Sequence, residues 1–202
     1  MTDYPTLFAG VARYGDLATL KYLFEQGQNW NIRACNAAAA NGHLECLTFL
    51  HSRGCPWDSG TFALAALGGH LDCLIYMYAN LCDYNIDACN NAVQGDHFDC
   101  LVFLHSIGCN WDRTTTYTAV VFGRAKCLKY TIKQGCPWDK MRCYNISLKY
   151  PDCQKVIVKY NKQARTRSWP SKVKIARKEH HITKRRRCGD AETRGSDGDR
   201  IL

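Results

Sequence analysis

Residues 36–58 read NAAAANGHLECLTFLHSRGCPWD, and this stretch belongs to a pattern that returns every 27 residues along the chain. Leucine, glycine, cysteine and an aromatic residue all recur at this interval, without an insertion between Leu7 and about Met141. A fixed period of this length predicts structural units that stack on their neighbours. The leucine column is Leu20, Leu47, Leu74, Leu101 and Leu128.

Each unit is expected to contain two antiparallel helices. Residues 57–82 read WDSGTFALAALGGHLDCLIYMYANLC, in which small residues form a first helix that can approach its neighbours closely. A Gly-Gly-His turn precedes a second helix, where Leu71, Leu74 and Met77 make an apolar stripe. The sequence therefore predicts an all-α solenoid of stacked helix-turn-helix repeats.

The ends of the predicted helices are marked by capping residues. A side chain suited to an N-cap precedes each first helix, and glycine follows several of the second helices. Acidic residues near the start of the second helices suit the positive end of the helix dipole. The N-cap column is Asn31, Asp58, Asn85, Asp112 and Asp139, and the acidic residues are Glu45, Asp72 and Asp99.

The chain has 13 cysteines, an odd number, and begins without an apolar secretory segment. Two cysteine columns follow the 27-residue period, which predicts reduced thiols packed between units. The first column is Cys46, Cys73, Cys100 and Cys127, and the second is Cys55, Cys82, Cys109 and Cys136.

Tryptophan marks the junction between most units, where a large ring can cover two neighbours at once. We expect these rings to be structural, and the alternative is an exposed aromatic row that binds a ligand. The residues concerned are Trp30, Trp57, Trp111 and Trp138, with Tyr84 in the same column.

Residues 36–58 resemble an ankyrin repeat, with an alanine-rich first helix, an Asn-Gly-His turn and a leucine-rich second helix that ends in glycine. The Gly-Cys-Pro-Trp-Asp junction is similar to a short variant in proteins of large DNA viruses and some protists. The resemblance implies five to six repeats over residues 5–160, with degenerate terminal units, and a role in binding proteins. The common ankyrin repeat is about 33 residues long, so the connecting loop is expected to be short.

Histidine and cysteine occur in several units and could in principle serve as catalysts or metal ligands. His43, His70 and His97 lie beside the turn glycine, a position that favours a hydrogen bond fixing the turn. The sequence has no Cys-x-x-Cys pair, no thiol that departs from its column and no phosphate-binding glycine loop. These features predict a non-enzymatic protein without a metal or other cofactor, and a functional role for the histidines is the alternative.

The net charge of +9 comes from the C-terminal tail, residues 161–202 and the residues just before them. Residues 159–187 hold 12 basic residues and one acidic residue, whereas residues 1–158 hold 13 of each. Few aliphatic residues occur there, which predicts a disordered basic tail with a short helix near Lys172–His180. Lys184, Arg185, Arg186 and Arg187 form a cluster that could contact nucleic acid or an importin.

Two functions are therefore expected as alternatives. In the first, the repeats bind another protein, in a virus–host or other macromolecular contact, as the resemblance implies. In the second, the basic tail binds nucleic acid or directs the chain to the nucleus. No apolar run is long enough to cross a membrane, and we expect an intracellular, cytoplasmic or nuclear monomer.

Overall fold

The structure is a computed structural model that describes the backbone of residues 4–166 and the side chains of residues 6–162. Within this part of the chain twelve helices and no strands occur, and the helices form six successive pairs. This architecture confirms the predicted all-α solenoid. The helices are α1 (Tyr4–Arg13), α2 (Leu17–Glu25), α3 (Ile32–Ala40), α4 (Leu44–Ser52), α5 (Ser59–Gly68), α6 (Leu71–Ala79), α7 (Ile86–Gln94), α8 (Phe98–Ser106), α9 (Arg113–Val121), α10 (Ala125–Lys133), α11 (Lys140–Ser147) and α12 (Pro151–Thr166).

The predicted capping residues begin the first helices of the pairs. The Asp58 side chain accepts a hydrogen bond from the backbone N–H of Thr61, and the Thr61 hydroxyl oxygen accepts one from the backbone N–H of Asp58, which completes a capping box. Glu45, Asp72 and Asp99 lie in the first turn of α4, α6 and α8. Because these contacts are local, the spacing of the residues was sufficient to predict them. The same side-chain caps occur at Asn31, Asn85, Asp112 and Asp139.

The pairs are joined by loops of six residues, such as residues 53–58 between α4 and α5. These loops hold no strand, as the short repeat predicts. The first helices of the pairs pack more closely on one another than the second helices do. Small buried side chains explain this approach, because Ala34, Ala38 and Ala39 on α3 occupy little volume. The first helices therefore form the more closely packed layer of the array.

The leucine column forms the centre of the core. Leu20, Leu47, Leu74, Leu101 and Leu128 are all fully buried, together with the cysteine columns. Such a continuous core through successive units explains how an array of short helices is stabilised, since one unit alone cannot bury its apolar face.

Two turns in each of the first five units place a residue in the left-handed backbone conformation. Glycine usually occupies these positions, as at Gly42 with φ 74° and Gly54 with φ 82°. Leu81 and Asp96 replace glycine in the third and fourth units and keep positive φ values of 62° and 65°. The fold thus imposes this conformation even where the residue has a Cβ that disfavours it.

The last pair differs from the others at its turn. Tyr150 stands at the position that histidine holds before α4, α6 and α8, and its ring lies against Gly123. Helix α12 continues to Thr166, so regular structure extends past residue 160, the expected end of the repeats. The helix expected near Lys172–His180 and the cluster Lys184–Arg187 lie outside the described residues.

Candidate functional site

One face of the first helices remains uncovered along the array. Position two of each first helix points away from the core, and the residues three and seven positions further lie on the same face. We call this surface the inner-helix face. The residues at position two of α3, α5, α7, α9 and α11 are all exposed, and they are Arg33, Gly60, Asp87, Thr114 and Met141.

The inner-helix face changes in character between its two ends. On α3 and α7 it carries the polar residues Asn36, Asn90 and Gln94. On α9 and α11 it becomes aromatic and aliphatic, with exposed fractions of 72% for Met141 and 56% for Leu148. We call this region the α9–α11 patch. It comprises Tyr117, Met141, Tyr144 and Leu148 on the inner-helix face, together with Phe122, which follows the last residue of α9.

Hydrogen bonds already occupy the polar groups in the N-terminal half of the inner-helix face. The Thr61 hydroxyl donates to Oδ1 of Asn36 at 2.5 Å, and the Thr115 hydroxyl donates to Oδ1 of Asn90 at 2.8 Å. The Nδ2 group of Asn91 donates to the backbone carbonyl of Ala63 at 3.0 Å. These bonds join neighbouring first helices and hold this part of the face in one arrangement.

Positive charge surrounds the α9–α11 patch. The guanidinium of Arg142 lies over the Tyr117 ring, 4.2 Å from its centroid. Asp112 and Asp139 both act as N-caps, since they accept hydrogen bonds from the backbone N–H groups of Thr114 at 2.6 Å and Arg142 at 3.0 Å. The Thr114 hydroxyl also donates to Asp112 and lowers the pKa of that carboxyl. The exposed cations beside the patch are Arg113, Lys140 and Lys149.

The tryptophan column lies between units and is half-buried against the core. Trp57 stacks on His51, and its ring also meets the edge of Tyr76 from the next unit, with centroids 5.9 Å apart. Trp111 makes the same contacts with His105 and Tyr130. Trp30 instead stacks on Phe24, at a centroid distance of 4.8 Å, and Trp138 also packs against the core.

This alternation reveals a second period, of 54 residues, that the sequence analysis missed. The signal is visible in HSRGCPWD at residues 51–58 and HSIGCNWD at residues 105–112. The intervening unit has Tyr78 in place of the histidine and Tyr84 in place of the tryptophan. Histidine–tryptophan stacking is therefore restricted to alternate units within the described residues.

The histidines beside the turns connect neighbouring units. A ring nitrogen of His43, Nε2, lies 3.0 Å from the Arg13 carbonyl oxygen of the preceding unit. Nε2 of His70 lies 3.1 Å from the corresponding carbonyl of Ala40. These hydrogen bonds join the turn of one unit to the preceding unit, whereas the sequence predicted a bond that fixes the histidine's own turn. Arg124 takes over this position in a later unit and donates to the Gln94 carbonyl.

Both cysteine columns are buried and their thiols are free. Burial raises the pKa of Cys73 and Cys100 to about 11 and that of Cys127 to about 12, and it also raises the pKa of Cys46. Thiols of this kind are poorly ionised and unreactive at neutral pH. In the second column each Sγ donates to the carbonyl of the N-cap residue that precedes its own helix pair, as from Cys55 to Asn31 at 3.3 Å and from Cys82 to Asp58 at 3.4 Å.

The described part of the chain contains neither a metal-binding cluster nor a membrane-spanning helix. No group of three or more histidine, cysteine, aspartate or glutamate side chains in this part is placed to hold a metal ion. None of the described helices is long and apolar enough to cross a membrane.

Comparisons with known proteins agree with this geometry. Residues 7–51 match the family model described as ankyrin repeats in many copies. Among 208 matching chains of solved structure is the human ASB11 ankyrin repeat domain. That match has a TM-score of 0.65 at 17% identity and covers 76% of this chain and 82% of that one. No curated protein sequence matches the chain. At this identity the structural likeness concerns the fold.

Proposed function

We propose that this chain, an array of ankyrin repeats, is a non-enzymatic scaffold that binds another protein through its inner-helix face. Ankyrin repeats generally serve as protein-interaction modules, and the fold supports that role here. The observation that carries the proposal is the uncovered inner-helix face, which runs across successive units from Arg33 to Met141. A rigid, extended surface of this kind binds with little loss of conformational entropy.

The side chains of the described repeats favour binding over catalysis. Burial raises the pKa of thiols such as Cys73, and a ring nitrogen of His43, His51, His70 and His105 lies within hydrogen-bonding distance of a group in another unit. Each of these groups has a structural role in the stack. We propose a monomer within the cell, and a virus–host role remains a prediction from the repeat variant.

Cross-linking and affinity capture of the full chain from its native cells would test the binding proposal. The variant Asp87→Arg/Thr114→Arg changes two exposed positions of the inner-helix face. The matched control Ser52→Arg/Ser106→Arg changes two exposed positions at the ends of α4 and α8. We expect the first variant to lose the captured protein and the control to retain it. Capture of no protein, or equal loss in both variants, would contradict the proposal.

The basic tail supports a second candidate function, contact with nucleic acid or an importin. The 12 basic residues and one acidic residue of residues 159–187 carry this proposal. A reporter fused to residues 160–202 is expected to enter the nucleus, and replacement of Lys184–Arg187 by alanine is expected to keep it in the cytoplasm. If the tail binds nucleic acid, affinity should fall steeply with salt for every sequence tested. A cytoplasmic reporter without salt-sensitive binding would exclude both roles.

A further inference from the structure

We infer that the α9–α11 patch binds an acidic segment of a partner protein, and that apolar side chains of this segment contact Met141, Tyr144 and Leu148. The inference rests on the proposed function and adds to it a location and a partner chemistry. Three observations carry it. Apolar side chains are exposed, positive charge lies beside them, and other units fold without apolar residues at the positions of Met141 and Tyr144.

The exposed apolar side chains lie on one stripe. Met141, Tyr144 and Leu148 follow one another at three and four positions, so they lie on the same face of α11 and its C-terminal cap. Phe122, at the end of α9, adds a ring that is 42% exposed. Contiguous apolar surface bordered by polar groups is typical of an interaction site.

The fold does not require these residues at these positions. The position of Tyr144 is occupied by alanine or asparagine in the first four units, and the position of Met141 by polar residues or glycine. Those units form the same helices and stack in the same way. Met141 and Tyr144 therefore need a reason outside the repeat itself, whereas the Leu148 position is also aliphatic in two other units. The corresponding residues are Ala9, Asn36, Ala63 and Asn90 for Tyr144, and Thr6, Arg33, Gly60, Asp87 and Thr114 for Met141.

The charge near the patch favours an acidic partner. Residues 109–158 hold nine basic and three acidic residues, whereas residues 1–108 hold four and ten. Asp112 and Asp139 are already engaged as N-caps, and Asp152 pairs with Lys155 at 2.9 Å. Lys140 and Lys149 flank the apolar stripe and are exposed. An acidic segment would thus be attracted to this end of the array, where positive charge is concentrated.

The chemistry of the patch favours a protein segment over nucleic acid. Single-stranded nucleic acid is held by open aromatic faces on which bases stack, but the guanidinium of Arg142 lies over the Tyr117 ring. The most exposed members of the patch, Met141 and Leu148, are aliphatic. Methionine and leucine pack against apolar side chains, and methionine adapts readily to different ones.

Selection from a library of random peptides on the immobilised full chain would test the inference. We expect enrichment of peptides that combine aspartate or glutamate with leucine, phenylalanine or tryptophan. For the selected peptides, the variant Met141→Ser/Leu148→Ser should weaken binding about tenfold or more. The matched control Leu7→Ser/Tyr14→Ser alters exposed apolar residues at the opposite end and should leave affinity unchanged. The variant Lys140→Glu/Lys149→Glu should also weaken binding, and its effect should shrink as salt is raised.

Several results would overturn the inference. Peptides of basic composition, or acidic peptides whose affinity is the same for Met141→Ser/Leu148→Ser, would place binding elsewhere. So would a single-stranded oligonucleotide that displaces the peptides and loses affinity in the same variant. Failure to select any peptide would exclude the patch as a peptide site, whereas capture of a cellular protein in the earlier experiment would still support the proposed function. The three double variants should keep the thermal midpoint of the parent chain, since all six substituted residues are exposed.

Discussion

The imidazole ring of His51 lies face to face with the indole ring of Trp57, with ring centroids 3.6 Å apart and ring planes within 14°. Nδ1 of the same imidazole lies 3.0 Å from the hydroxyl oxygen of Tyr76, which belongs to the next unit. One histidine thus connects the loop of its own unit to the second helix of the following one. The arrangement recurs in His105, Trp111 and Tyr130.

Replacement of Trp57 by alanine is expected to destabilise the array. The ring is half-buried between two units, so we expect a loss of about 2 kcal/mol, less than the roughly 3 to 5 kcal/mol typical of a fully buried ring. Urea unfolding followed by circular dichroism would measure the change. Tyr14→Ala removes a ring that is 83% exposed and should change stability by less than about 0.5 kcal/mol. Equal stabilities of Trp57→Ala and the parent chain would show that the ring does not stabilise the junction.

The two stacked histidines should make stability depend on pH. Burial lowers the pKa of His51 and His105 below the ordinary value of 6.5. Because folding favours the neutral ring, this contribution is fully present above the unfolded pKa and is lost as pH falls through the lower folded pKa. The urea midpoint should therefore fall between neutral and mildly acidic pH. His51→Asn/His105→Asn should show a shallower fall, and an identical slope would contradict the prediction.

Leu81→Gly is expected to stabilise the chain. Leu81 has a φ of 62° and is 74% exposed, so glycine would relieve about 1 kcal/mol of backbone strain while little packing is lost. The greater freedom of glycine in the unfolded chain offsets part of this gain. The reverse change, Gly54→Leu, tests the same position in another unit, where an added Cβ meets no atom within 4 Å. The two variants should shift the thermal midpoint in opposite directions, and shifts of the same sign would refute this account.

The thiols are expected to react slowly in the native protein. Twelve cysteines are buried in the described residues, and the sequence has 13. A chromogenic thiol reagent should therefore modify at most a small number quickly in the native chain, and all 13 after denaturation. Rapid modification of most thiols in the native chain would contradict packed cysteine columns. A mass two units lower for each bonded pair would indicate disulfides.

The sequence alone determined the repeat and most of its local structure. N-caps such as Asp58 and left-handed turns such as Gly42 act over a few residues, so composition and spacing were sufficient to predict them. The 27-residue period then predicted stacking, because an amphipathic pair of helices must bury its apolar face. The 54-residue alternation was present in the sequence as well. That it corresponds to histidine–tryptophan stacking became clear only from the ring contacts in the structure.

Only the tertiary structure decided which side chains from different units come together. His51 and Tyr76 are 25 residues apart, and their contact follows from the rotation and spacing of successive helix pairs. The same geometry placed Met141 and Leu148 on an uncovered face and Cys46 and Cys127 inside the core. A periodic column shows that a position repeats, but its exposure depends on how neighbouring units pack, and that packing is a property of the whole stack.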